Sequence, residues 1–314
     1  MKIALIGNIS DTCGIATYGE DLIKYAPDDI QYVPINPNSK LDLAVKMAQN
    51  CDLIHLNYYY GIQASFSYLE FLNKTKKPSI LTNHATNKPE NWFNLVDILV
   101  THEVPDAIYH KRMVKIFHGI PEKDFKYESH PEFVISQAGF PFPWKNFWKT
   151  CMAANEISDL GYEIRVKLFM PSTYRQDVRP EIEKCVQVIK SNISMYIDTQ
   201  WLEEDELIYS LHRDASVISC YTGGSYYGNG AEGPSGSARL AVASKRPIIV
   251  NGNAPQYAGL IGHSGIYPVY KDNDLASSFI MAHKTGGYAS DLLMEQSYHQ
   301  IMRKYQELYC ELLK

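Results

Sequence analysis

Short apolar runs alternate with amphipathic stretches along the whole chain. Strand-type runs in the first part are Lys2 to Gly7, Gln31 to Ile35, Asp52 to Asn57, Ser79 to Asn83, Ile98 to Thr101 and Lys115 to His118. Apolar residues at helical spacing fall between them, over Ile15 to Tyr25, Leu41 to Gln49, Phe66 to Lys74 and Asp106 to Arg112. After the polar, Pro-bounded segment Pro121 to Pro131 the alternation restarts. Its strands are Glu132 to Gln137, Ile164 to Phe169, Ser194 to Asp198, Ser216 to Tyr221, Pro247 to Asn251 and Ile266 to Val269. Its helices are Asn146 to Leu160, Arg179 to Lys190, Glu203 to His212, Gly236 to Lys245, Ala254 to Ile261 and Asp274 to His283. The final run, Ser290 to Lys314, carries Leu292, Leu293, Tyr298, Ile301, Met302, Tyr305, Leu308 and Leu312 at helical spacing and reads as one long helix.

Continuous apolar strands separated by helices describe parallel sheets covered on both faces. The expectation is an α/β protein of two doubly wound domains, residues 1–125 and 126–285, followed by a helix over 286–314. Ligands of such sheets bind beyond the carboxyl ends of the strands, so function is expected in a cleft between the two domains.

Composition narrows the partners. The 314 residues carry 30 Lys plus Arg against 35 Asp plus Glu, a net charge of -5, which gives no general attraction for polyanions. A local basic patch from Lys111, Arg112, Lys115 and Lys123, or from Lys145 with Lys149, leaves nucleic acid open but not favoured. The six cysteines are scattered with no C-x-x-C pair, the pattern of reduced thiols in a cytoplasmic enzyme with neither structural zinc nor disulfides. No apolar window is long enough to span a bilayer, so membrane contact is at most peripheral.

Several stretches carry candidate chemistry. The first βα turn, Gly7 to Gly19, does not match G-x-G-x-x-G. Gly14 with Thr17 nearby either admits an acceptor or phosphate to a helix start or forms an ordinary tight turn. His84 ends a strand, where it either faces the cleft or satisfies a backbone carbonyl; His55, His102 and His118 carry the same two readings. In Gly139-Phe140-Pro-Phe-Pro-Trp144-Lys145-Asn146, Lys145 stands at a helix start, against the helix dipole. That placement is understandable if an anion such as a diphosphate lies between them; an ordinary exposed lysine is the alternative. The richest stretch runs from Tyr221 to Val250. A glycine loop ends in Glu232, and Gly233, Ser235, Gly236 and Ser237 then open a helix whose free amides and hydroxyls suit a pyrophosphate. A flexible linker would read similarly, but this loop lies inside a βαβ unit.

Taken together these residues resemble the GT-B glycosyltransferases, and within them the retaining glycosyltransferase family 4 type. Gly14-Ile-Ala-Thr-Tyr resembles the family's first loop, Thr82-Asn-His84 its acceptor-side histidine motif, and His118-Gly-Ile-Pro the end of its N-terminal domain. Gly139 through Lys145-Asn146 resembles the donor loop, Arg213-Asp214-Ala215 the approach to the acid motif, and Glu232 to Pro247 the E-x(7)-E helix with its following turn. The resemblance implies a GT-B architecture of two Rossmann-like domains facing a cleft, the N-terminal one on the acceptor side. It implies transfer of a sugar from a nucleotide diphosphate sugar to a hydroxyl, with retention and without a required metal or other cofactor. Glu232, His84 and Lys145 would be catalytic. Gly233, Ser235, Gly236, Ser237, Arg239, Phe140 and Trp144 would bind donor, and Gly14, Thr17 and His118 would lie on the acceptor side.

The chain departs from that pattern at two positions. The second glutamate of the motif, which grips the nucleotide ribose, falls on Leu240, and the donor-loop arginine falls near Phe140. Arg239 is a candidate to restore charge, and Glu203 or Glu204 to restore the ribose contact. The rival readings are a nucleotide-sugar or glycan-binding protein without catalysis and a nucleotide-sugar epimerase. Glycan, lipid-linked sugar, small molecule, protein and modified nucleobase all remain open as acceptor.

Overall fold

The computed structural model describes residues 1–7, 14–59, 64–84, 90–102, 110–172, 177–222 and 235–314. The packing of the described residues divides them into two compact units, one within Met1–Gly119 and Gln296–Lys314, the other within residues 120–222 and Ser235–Glu295.

The first unit contains β1 (Lys2–Ile6), α1 (Gly14–Lys24), β2 (Gln31–Ile35), α2 (Leu41–Gln49), β3 (Leu53–Tyr58), α3 (Tyr68–Thr75), β4 (Ser79–Asn83), β5 (Ile98–Thr101) and β6 (Met113–Lys115). They form a six-stranded parallel sheet of order β2-β1-β3-β4-β5-β6. Every residue of the inner strand β3 is buried, the polar His55 and Asn57 included, so both faces of the strand are covered. Pro34 sits in β2, an edge strand where the missing N–H costs no second ladder bond. Helix α3 starts where the Ser67 side chain accepts from the Glu70 N–H, a cap worth about 1 kcal/mol.

The second unit contains β7 (Phe133–Ala138), α4 (Phe147–Asp159), β8 (Ile164–Phe169), α5 (Arg179–Val188), β9 (Ser194–Asp198), α6 (Glu204–Asp214), β10 (Val217–Cys220), α7 (Gly236–Ala243), β11 (Ile248–Asn251), β12 (Ile266–Val269), α8 (Leu275–Thr285) and α9 (Ser290–Gln296). Its sheet is again six-stranded and parallel, of order β12-β11-β10-β7-β8-β9. One face is filled from α4, α5 and α8, with Phe147, Cys151, Ile157, Cys185 and Phe279; the other from α6 and α7, with Ile208, Leu211 and Val242.

The single helix expected over Ser290 to Lys314 is instead two, α9 and α10 (Tyr298–Leu312). The break falls at Ser297, whose extended backbone and side chain cap α10 by accepting from the Gln300 N–H. Helix α10 belongs to the first unit, where Tyr298, Ile301, Met302 and Tyr305 join Tyr18 and Leu22 of α1 in one core cluster.

Three further expectations change. Over Ala254 to Ile261 only a 3-10 turn, Pro255–Tyr257, forms. The strand expected over Lys115 to His118 ends at Lys115, because its partner β5 ends at Thr101 and the ladder runs out. The helix expected over Asp106 to Arg112 lies mostly outside the described residues, and its described end, 110–112, is not helical. Among the described residues, Cys51, Cys151, Cys185 and Cys220 are free and buried and Cys310 is free and exposed. No helix there is long and apolar enough to cross a membrane.

Candidate functional site

In the first unit, chemistry gathers beyond the carboxyl ends of β3, β4 and β5. His84 follows β4 directly and is 6% exposed. Its Nε2 lies 2.6 Å from Asn57 Oδ1, and the Asn57 amide is oriented by donating from Nδ2 to the Ile15 carbonyl at 3.0 Å. His84 Nε2 therefore carries the proton of that bond. His84 Nδ1 lies 3.0 Å from His102 Nε2, and His102 Nδ1 donates to the Ile116 carbonyl at 2.9 Å. Both outer nitrogens face oxygens that only accept. Two neutral rings thus spend their protons outward, and the contact between them gains one only when the pair is charged. Burial, then the neighbouring imidazoles of His102, His118 and His55, push the His84 pKa well down, favouring the neutral ring.

Tyr18 of α1 packs its ring among these histidines, with centroids 4.8 Å from His84, 5.3 Å from His102 and 4.9 Å from His118. The sequence carries Tyr18 in the Gly14-Ile-Ala-Thr-Tyr stretch without giving it a role, although its spacing of four from Leu22 marks the buried face of α1. His118 is half-buried in the loop after β6 and donates from Nδ1 to the Gly119 carbonyl at 3.1 Å. Thr17 is half-buried on α1. Gly14 is exposed, and a Cβ there would meet open space, so nothing described requires a glycine at that position.

In the second unit, β7 ends in Ala138 and Gly139. Gly139 has φ +143°, a conformation closed to ordinary side chains, and it turns the loop across Lys145. Lys145 Nζ donates to Ser237 Oγ at 3.2 Å, across 92 residues of sequence. Its backbone is held by the Phe142 carbonyl at 2.8 Å and by the Gln137 side chain, which donates to its carbonyl at 2.6 Å. Burial lowers the Lys145 pKa, with the Cys220 thiol opposing weakly. Ser235 is the N-cap of α7, accepting from the Ala238 N–H, and its hydroxyl lies 3.2 Å from Ser237 Oγ. A cation and two hydroxyls therefore meet at a helix start whose amides point outward, a charge arrangement suited to an anion. Gly236 opens this helix, and Arg239 is buried on it.

Aromatic rings flank the lysine. Phe142 stacks on Trp144 at 4.3 Å and Phe140 on Trp201 at 5.8 Å, with interplanar angles of 11° and 25°. Trp201, in the loop after β9, had no motif to reveal it. Leu240 packs against the core cluster under α6 and α7, so the position of the second motif glutamate is structural here. Glu203 precedes α6, and its N–H donates to the Glu206 carboxylate, giving it a helix-capping task. Glu232 and Gly233 lie outside the described residues.

The basic groups that could have gathered for nucleic acid are partly spent. Arg112 pairs with Glu311, Lys123 with Asp205 and Lys149 with Asp272.

No family model matches the chain, and no curated protein matches its sequence. Solved structures do. Anabaena Alr3699/HepE in complex with UDP-glucose matches with a TM-score of 0.67 at 12% identity, over 99% of this chain and 100% of that one. A glycosyltransferase from Rickettsia africae ESF-5 matches with a TM-score of 0.63 at 14% identity, over 100% and 98%. An alpha-glucosyltransferase in complex with UDP and a 13-mer DNA containing a central A:G mismatch matches with a TM-score of 0.60 at 12% identity, over 100% and 99%. The chain therefore has the GT-B fold of these glycosyltransferases.

Proposed function

We propose that the protein is a retaining glycosyltransferase that moves a sugar from a nucleotide diphosphate sugar, with UDP as the nucleotide, to a hydroxyl acceptor. The observation that carries this reading is the Lys145–Ser237 pair at the start of α7. It is joined to a fold of which Anabaena Alr3699/HepE and an alpha-glucosyltransferase were solved in complex with UDP or UDP-glucose.

In the reaction, the bond from the anomeric carbon to the diphosphate breaks and the acceptor oxygen bonds to the same face. The acceptor proton passes to a departing phosphate oxygen. Lys145 and the α7 amides stabilise the negative charge that develops on the diphosphate, a preorganised device that calls for no metal. Glu232 holds sugar hydroxyls, and Gly233, Gly236, Arg239, Phe140, Trp144 and Trp201 complete the donor site. His84 and His118, with Gly14 and Thr17, serve the acceptor side. His84 engages substrate by exchanging its bond to Asn57. The consumed charges of Arg112, Lys123 and Lys149 favour a glycan or small hydroxyl compound over nucleic acid. The protein works in the cytoplasm.

The test is a panel of nucleotide diphosphate sugars read by thermal shift and by mass spectrometric detection of released nucleotide, on the wild type, Glu232→Ala and Lys145→Ala. One donor should stabilise the wild type by linkage and be slowly hydrolysed, with hydrolysis lost in both variants. No binding by any donor at millimolar concentration would remove the reading.

A further inference from the structure

Six side chains in the first unit form one unbroken chain of hydrogen bonds. Tyr18 Oη lies 2.8 Å from Tyr305 Oη, which lies 2.7 Å from Thr82 Oγ1. Thr82 Oγ1 lies 2.7 Å from His55 Nε2, His55 Nδ1 lies 2.7 Å from Tyr309 Oη, and Tyr309 Oη lies 2.8 Å from Tyr32 Oη. Tyr305 and Tyr309 come from α10, Thr82 from β4, His55 from β3, Tyr18 from α1 and Tyr32 from β2.

Five bonds join six groups. Each hydroxyl has one proton, and burial keeps His55 neutral with one more, its pKa pushed down to about 3. Six protons therefore serve five bonds, and one O–H is left over. A leftover proton on Tyr18, Tyr305 or Thr82 requires His55 to be protonated on Nε2; one on Tyr309 or Tyr32 requires Nδ1. An unsatisfied buried O–H costs about 1–3 kcal/mol, so the leftover belongs where water can reach it. Five of the six residues have no exposure at all, whereas Tyr32, which ends the chain of bonds, keeps 8%, so that end lies nearest to water.

We propose that this relay runs in one sense, from Tyr18 through Tyr305 and Thr82 to His55 and on through Tyr309 to Tyr32, and that Tyr305 is thereby a positioning residue for the histidine cluster. His55 carries its proton on Nδ1. Tyr18 gives its only proton to Tyr305, which fixes the ring against which His84, His102 and His118 pack. The C-terminal helix so orients a cluster that no residue of its own need enter. The part of this inference that concerns transfer rests on the proposed glycosyltransferase reading; the proton arrangement does not.

The experiment is nitrogen-15 NMR of the histidine side chains in the full chain, wild type and Tyr305→Phe. The expected result is His55 protonated on Nδ1 in both proteins, since a relay flowing away from Tyr305 does not need its oxygen to hold His55. A wild-type Nε2 proton would overturn the proposal. So would a change of tautomer in Tyr305→Phe, because only the opposite sense leaves the Thr82 proton stranded there. Once a donor has been identified, Tyr305→Phe should lower kcat by roughly tenfold or more through misplacement of the cluster, with the donor KM unchanged. An unchanged kcat sinks the positioning role alone. Absence of any donor binding sinks the glycosyltransferase reading and leaves the tautomer result standing.

Discussion

The Lys145 ammonium reaches the Ser237 hydroxyl at 3.2 Å, and the two residues arrive from the ends of different strands, β7 and β10. Ser237 gives the lysine a neutral acceptor. An incoming diphosphate offers a better one, so the pair is arranged to exchange.

Removing the cation should expose that role. Lys145→Ala is expected to lower kcat by roughly 10²- to 10³-fold, the usual loss when one group that stabilises developing negative charge is deleted. The pH profile gives a second signature. Burial lowers the pKa of Lys145, so it loses its proton below the ordinary lysine value of about 10.4, and the alkaline limb of activity should begin correspondingly early. Lys145→Arg, whose guanidinium stays charged, should move that limb upward. An alkaline limb identical in Lys145→Arg and wild type would assign it to another group.

The two serines at the start of α7 divide their work, and paired substitutions separate it. Ser235 caps the helix, so Ser235→Ala should cost about 1 kcal/mol of stability in urea denaturation. Ser237 meets Lys145 and Ser235 through its hydroxyl but is not the cap. Ser237→Ala should change stability by less than the Ser235 variant while weakening donor binding more. The opposite ranking would mean that the Ser237 hydroxyl is a structural group.

Gly119 is required by a close approach rather than by its own backbone. A Cβ there would lie 2.4 Å from the ring of Tyr298, which is fully buried at the start of α10. Gly119→Ala should therefore destabilise the protein by about 1–3 kcal/mol, the range for overpacking a closed core. Trimming the obstacle should recover part of the loss, so Gly119→Ala with Tyr298→Leu should be less than additive relative to the two single variants. Simple additivity would show that the ring is not what the new methyl meets.

Buried strands such as β3 and β7 were legible because a parallel strand covered on both faces is built mainly from apolar residues and carries no charge, even where His55, Asn57, Ser136 and Gln137 interrupt the run. Lys145, Ser235 and Ser237 were legible as a helix-start constellation because glycines and hydroxyls cluster there for few other reasons. What escaped depends on distance along the chain. Tyr18 and Trp201 acquire their roles only when folding brings them to His84 and Phe140; the helical spacing of Tyr18 marks it as buried but not what it meets, and Trp201 stands in no pattern. The break at Ser297 escaped for a different reason. The apolar period runs through it almost undisturbed, and the cap that stops α9 and starts α10 is a single hydroxyl. At Ala254 to Ile261 apolar spacing met Pro255 and Gly259, and only one 3-10 turn formed.

Acid should unfold the protein partly through His55. Folding lowers its pKa from the ordinary 6.5 to about 3, and the cause is burial. A depressed histidine excludes the proton in the folded state, so the unfolded chain binds more protons at any pH between those values. The associated stability is whole above about pH 6.5 and drains away as pH falls toward 3. Each unit is worth 1.36 kcal/mol, so from pH 7 to pH 5 the loss through this one group should be about 2 kcal/mol. That window is informative because the lowered carboxylates, Asp177, Asp214, Asp272 and Asp291, titrate below it, while His84 shifts in the same direction in wild type and variant alike. Urea denaturation of wild type and His55→Gln at pH 7 and pH 5 isolates the term. The wild type should lose about 2 kcal/mol more than the variant between the two, and equal losses would mean that His55 is as free to take a proton in the folded protein as in the unfolded one.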